Sequence, residues 1–96
     1  MVDETWIKLE NGIATLGIKA ESAEKVDEFM FVKLPNIGSQ IEKGEVYVSL
    51  EAIKWSGHLE SPISGEVIEV NEEVYDEPNL INNNPEEAWI CKIKVD

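Results

Sequence analysis

The stretch VYVSLEAIKWSGHLESPISGEVIEV, Val46–Val70, constrains this chain more than any other. It reads as two strands joined by a tight turn, followed by a Ser64-Gly65 turn into a third strand. Val46, Val48 and Leu50 fall on one face of the first strand, and Tyr47, Ser49 and Glu51 on the other, because side chains alternate along a strand. The return strand, His58-Leu59-Glu60-Ser61, is broken by Pro62, and in the third strand Ile68 and Val70 alternate with Glu69 and Asn71. Lys54 stands at the tip of the hairpin between two apolar residues, Ile53 and Trp55. A rigid apolar hairpin with one amine at its end suits covalent attachment; the plainer reading is a solvated turn lysine.

Other strands can be read on either side of it. Trp6-Ile7-Lys8-Leu9 is read as alternating between apolar and polar side chains, as a half-buried strand does, and Asn11-Gly12 marks a hairpin turn because both residues tolerate positive φ. Ile13 to Ile18 is the partner strand. Ala23, Val26 and Met30 recur at helical spacing and predict a short helix or a pair of turns over Ala20 to Phe29, with Glu21, Glu24, Lys25, Asp27 and Glu28 as its solvated face. Met30 to Leu34 is a strand ended by Pro35, Asn36 to Gln40 is a loop, and Glu42-Lys43-Gly44 is a turn. Asn71 to Glu87 is irregular, with a helical turn over Glu77 to Ile81. Trp89, Cys91, Ile93 and Val95 form the inward face of a closing strand. Short strands with turns at close intervals and little helix predict an all-β fold, a small sandwich or flattened barrel. GEVYVSL and GEVIEV both begin Gly-Glu-Val, a trace of internal symmetry about the hairpin.

Ninety-six residues amount to one domain, 1–96, with little core to spare. No apolar run approaches the ~20 residues of a membrane helix, and the N-terminus lacks the features of a secretory signal. A single cysteine, Cys91, leaves no internal disulfide and fits a reducing compartment. Twenty acidic residues against eight basic ones give a net charge of −12, which repels phosphate backbones and anionic lipid alike. It favours solubility and brief steered encounters with basic surfaces.

Catalytic constellations do not stand out. His58 is the only histidine, there is no Cys-x-x-Cys, and Cys91 falls on an apolar strand face where an inert thiol is expected. The glycines are spaced for turns, without GxGxxG or a P-loop. Lys54 therefore carries the functional reading, flanked by Ile53 and Trp55, whose apolar surface at a tip suits recognition by a partner. A protonated amine is no nucleophile, so Lys54 reacts only inside an enzyme that removes its proton.

These segments together resemble the H protein of the glycine cleavage system, from Trp6 to Lys94. FVKLPNIGSQIEKGE looks like that family's central strand, proline and turn; LEAIK resembles its Glu-Ser-Val-Lys lipoylation motif; and SPISGEVIEVN, EPNLINNNP and AWICKIK resemble its C-terminal run. Generic lipoyl and biotinyl domains share the hairpin but lack the last segments. Ile53 and Trp55 stand where a biotin motif carries methionines. The resemblance implies a barrel-sandwich with lipoate amide-linked to Lys54, and Glu51, Ile53 and Trp55 as recognition residues around it. It implies a non-catalytic carrier, loaded by a lipoate ligase or lipoyl transferase. Its aminomethyl cargo would pass from glycine decarboxylase to aminomethyltransferase, with dihydrolipoyl dehydrogenase reoxidising the arm. The expected location is the cytoplasm, or an organelle matrix in a eukaryote.

Some positions depart from the family pattern. Thr5 stands where an acidic residue precedes the first tryptophan, and Glu21 where a His or Tyr is usual. Trp55 replaces the small residue after the lysine, and His58 the aspartate four positions on. The chain also reads as the family pattern without its N-terminal extension and C-terminal helix. A paralogue serving lipoate relay, sulfur metabolism or redox defence, or an unmodified interaction module, fits these departures as alternatives.

Overall fold

The computed structural model describes residues 4–96. In chain order the elements are β1 (Thr5–Glu10), β2 (Ile13–Ile18), α1 (Ala20–Ala23), β3 (Phe29–Lys33), β4 (Gln40–Ile41) and β5 (Val46–Ala52). They continue with β6 (Ser56–Glu60), β7 (Gly65–Val70), α2 (Glu72–Asp76), α3 (Leu80–Asn83) and β8 (Cys91–Val95). Two antiparallel sheets result, one ordered β1-β2-β8-β7-β4 and the other β3-β5-β6. They share no strand, so the fold is a two-sheet barrel-sandwich rather than a closed barrel.

One apolar core joins the layers. Val32, Val48 and Leu50 from the small sheet meet Leu16, Val67, Cys91 and Ile93 from the large one, with Val74 and Ile81 entering from α2 and α3. Each such side chain contributes about 1.5–3 kcal/mol on burial. The hydroxyls of Thr5 and Tyr47, both buried, lie 2.9 Å apart and tie β1 to β5 across the layers. The Asn11-Gly12 turn has the positive φ angles, 52° and 77°, that a two-residue hairpin needs.

Three bulges govern which residues face inward. In each, two residues of one strand oppose one residue step of its partner, leaving Met30, Tyr47 and Ile68 as the extra residues. Simple alternation fails there. Tyr47 is buried beside Val48 while Val46 is exposed, so Val46 does not share the face of Val48 and Leu50. In β7 the inward residues are Gly65 and Val67, and Ile68 is exposed instead of pointing into the core. Met30 is likewise exposed, and Phe29 takes the buried position. The helical spacing of Ala23, Val26 and Met30 is realised only as the single turn of α1, with Ala23 and Val26 buried.

The bulges also give the symmetry a physical form. Tyr47 and Ile68 are each the first residue after a Gly-Glu-Val, and each GEV leads into the middle strand of an antiparallel trio, β3-β5-β6 and β4-β7-β8.

The remaining differences from the sequence reading have equally local causes. β1 is an edge strand whose Ile7 and Leu9 project into solvent, so it is not half-buried along its length. The irregular segment holds two short helices in place of one turn over Glu77 to Ile81. Asn71 makes the first possible: its Oδ1 accepts from the Glu73 N–H at the start of α2, and its Nδ2 donates to the Trp89 carbonyl. Trp89 is only half-buried, with Lys92 Nζ 5.1 Å from its ring centroid, and Ile90 takes a core position beside Cys91 and Ile93.

Trp6 closes the open side of the large sheet. Its indole lies across the facing Gly17, and its Nε1–H donates to the Pro85 carbonyl at 3.0 Å. A Cβ on Gly17 would clash with the indole ring atoms Cε2, Cζ2 and Nε1 of Trp6. Gly17→Ala is therefore expected to cost about 1–3 kcal/mol through overpacking, read as a lower urea midpoint with an unchanged m-value.

Candidate functional site

The hairpin formed by β5 and β6 carries the lysine. Its register runs Leu50 opposite Gly57 and Glu51 opposite Ser56, so only Ile53, Lys54 and Trp55 lie between the two strands. The Trp55 carbonyl accepts from the Ala52 N–H at 2.6 Å and closes this short loop across Lys54. Lys54 is exposed at the tip, and no hydrogen bond or ion pair to it is found among the described residues. Ile53 beside it is 64% exposed.

Trp55 behaves differently. Its indole turns back along the hairpin, edge-on to Phe29 with the ring centroids 6.1 Å apart and the planes at 83°. It also lies over Gly57. Together with Ile18, Val26, Phe29, Leu50 and Leu59, and with Glu4 and Ser22 at its polar side, it lines a dent that has about 20 Å³ left free, space for roughly one water. It remains 38% exposed.

Glu51 and His58 lie on the outer face of the small sheet. Glu51 stands between Phe31 and Ser56, and His58 opposite Ser49, back from the tip. His58 is exposed and is not part of the packing around the lysine loop. Thr5 is buried against Tyr47, and Glu21 is exposed on α1. The structure thus brings Ile53, Lys54 and Trp55 into one loop with Glu51 just below it.

A residue that the sequence reading passed over supports this loop from behind. The Phe29 N–H donates to Asn82 Oδ1 at 2.9 Å, and Asn82 Nδ2 donates to the Val26 carbonyl at 3.2 Å. Asn82 thereby fastens the segment leading into β3, whose Phe29 receives the Trp55 ring. The available signal was an Asn run in a loop, where side-chain-to-backbone bonding is common, but nothing local marked which Asn would reach so far. Cys91 lies on the opposite side of the chemistry: burial pushes its thiol up to about 12 from the usual 9.0, so it is an inert core group.

Comparison with known proteins follows the same lines. A profile of the family described as Glycine cleavage H-protein matches residues 1–96. A glycine cleavage system H protein of Thermotoga maritima is 38% identical over 91 residues, covering 94% of this chain and 73% of that protein. One from Staphylococcus epidermidis is 37% identical over 94 residues, covering 97% and 75%. In structure, the chain is similar to a glycine cleavage system H protein from Mycobacterium marinum, with a TM-score of 0.92 and 28% identity, over 99% of this chain and 80% of that one.

Two measurements check this geometry. Asn82→Ala leaves the Phe29 N–H and the Val26 carbonyl without their partner, so stability should fall by about 1–3 kcal/mol, with faster hydrogen exchange concentrated at Val26 to Phe29. For Cys91, the raised pKa means the folded state favours the neutral thiol. That contribution is whole below about pH 9 and is lost as pH rises toward about 12. A Cys91→Ala variant should therefore lose less stability than the parent across that window in urea titrations.

Proposed function

Because this chain belongs to the glycine cleavage H-protein family, we propose that Lys54 is the residue on which it carries lipoate. The chain is a lipoyl carrier of that system and a non-catalytic component of it. The observation that carries the assignment to Lys54 is its placement: an exposed amine at the end of a closed three-residue loop, with no polar partner among the described residues. An amide-linked group fits such a site, since acylating Lys54 breaks no interaction of the fold. Lipoate supplies a redox-active disulfide at the end of a flexible acyl chain.

The protein's own residues do the rest. β5 and β6 hold the tip away from the sheets, and the Ala52-to-Trp55 hydrogen bond keeps the amine at its end. Tethering a reacting group in this way raises its effective concentration at each enzyme it visits. A net charge of −12 steers the carrier toward basic rims on those enzymes and hinders self-association. Glu51 and Ile53 flank the lysine as contacts for the enzyme that loads it.

Enzymes of glycine cleavage are the partners of this family. Within that, we assign loading of Lys54 to a lipoate ligase or lipoyl transferase, and the client enzymes to glycine decarboxylase, aminomethyltransferase and dihydrolipoyl dehydrogenase. Among the described residues no helix is long and apolar enough to cross a membrane. The reading places the carrier, as one domain, in the cytoplasm or in an organelle matrix.

Intact mass spectrometry after incubation with a lipoate ligase, lipoate and ATP tests the assignment. The parent should gain one lipoyl-sized increment and Lys54→Arg none. No gain in the parent would sink it and favour an unmodified interaction module; a gain that survives Lys54→Arg would sink it by placing the lipoyl group on another residue.

A further inference from the structure

Of the three residues in the lysine loop, two point outward and one turns back into the domain. Trp55 is held there by contacts on three sides. Its own carbonyl closes the loop to Ala52. Its ring meets the edge of Phe29. It also lies on Gly57, where a Cβ would come within 2.6 Å of ring carbon Cζ2. The dent beneath it, lined by Ile18, Val26, Leu50 and Leu59 together with Glu4 and Ser22, has almost no room left. Gly57 lies inside a strand, where glycine is otherwise unfavourable, and the ring above it accounts for the missing side chain.

We infer that Trp55 is a positioning residue for the acylation of Lys54, with Gly57 and Phe29 as its seat. The inference rests on the lipoyl-lysine reading and adds how that lysine is presented. An enzyme that acylates Lys54 must bring Nζ onto an activated carboxylate such as an acyl-adenylate. The Nζ ammonium first gives one proton to the enzyme, the N–C(O) bond forms and nitrogen sheds a second proton to the enzyme, the C–O bond to the adenylate breaks and AMP leaves. Reactivity in such a step depends on how narrowly the amine is placed, and ordering a loose loop on binding costs affinity. The seated indole removes that cost in advance, because a loop pinned at Ala52, Phe29 and Gly57 leaves only the lysine side chain to be ordered. Trp55 acts in this scheme by facing inward.

A competing role is direct contact between the exposed part of the indole and the acylating enzyme, as at many tryptophan hot spots. Gly57→Ala separates the two roles, since it keeps the indole but evicts it from its seat. The experiment follows Lys54 acylation by a lipoate ligase with time-resolved intact mass on the full chain, alongside trypsin cleavage after Lys54 under native conditions. Trp55→Ala and Gly57→Ala should each lower kcat/KM for acylation on the order of tenfold, mostly through KM, and each should speed cleavage at Lys54. Trp55→Phe, whose ring can still meet Phe29, should stay within about threefold of the parent. Phe29→Leu removes the ring partner while keeping a buried apolar side chain, so it supplies the same comparison where Gly57→Ala does not fold. Parent-like acylation of a folded Gly57→Ala or Phe29→Leu, with only Trp55→Ala impaired, would overturn the inference in favour of direct recognition. Parent-like acylation of Trp55→Ala would overturn it outright. If the parent is not acylated at all, the lipoyl-lysine reading fails, and unchanged trypsin cleavage in the variants then counts separately against the seat.

Discussion

An isolated two-stranded hairpin is only marginally stable in water, and this protein places its lysine at the end of a hairpin. Most of the remaining structure serves to hold β3-β5-β6 in place. Its inner face, with Val32, Val48 and Leu50, is covered by the five-stranded sheet. Tyr47 and Thr5 join the layers through their hydroxyls, and Asn82 fastens the backbone just before β3. α2 lies against the same strand, where Tyr75 meets Phe31 edge-on at 6.1 Å. The hairpin can be stiff because the sheet that carries it is pinned at its edge as well as on its face.

The bulges explain how a short chain builds such a sheet twice. A single extra residue after each Gly-Glu-Val bends β5 and β7 at equivalent points, and bulges increase strand twist. The same displacement has different results because the surroundings differ. Tyr47 is turned inward with its hydroxyl satisfied by Thr5, whereas Ile68 is left outside and Val67 fills the core. Symmetry of backbone is retained while side-chain roles diverge.

This divergence also marks where the sequence could and could not be read. Strand existence, the Asn11-Gly12 turn and the hairpin around Lys54 were legible because each rests on local chemistry: alternation, positive φ, and apolar runs that end at turns. Facing was not legible at Met30, Tyr47 and Ile68, since an added residue reverses the alternation and its presence depends on the partner strand. Ile7 and Leu9 were misjudged for a related reason, because alternation does not reveal that a strand lies at a sheet edge. Asn71 and Asn82 look alike in a polar loop. What separates them is whether the carbonyls and amides they bond lie near in space, and those belong to Trp89 and to Val26 and Phe29, distant in sequence.

At the candidate site, the position of Lys54 at the hairpin tip was legible, and Trp55 was legible only as an oddity. Two apolar residues beside a lysine look equivalent in sequence, yet Ile53 is largely exposed and Trp55 is folded back. The difference follows from what each finds within reach. Gly57, two residues beyond Trp55, leaves a flat gap on the inner row of the hairpin, and Phe29 offers an edge for the ring to meet. Ile53 has no such place to turn. One apolar neighbour of the lysine is therefore left on the surface while the other packs against the loop. Lys54 is left as an exposed positive charge on a chain at −12, and under the proposed assignment acylation would remove that charge.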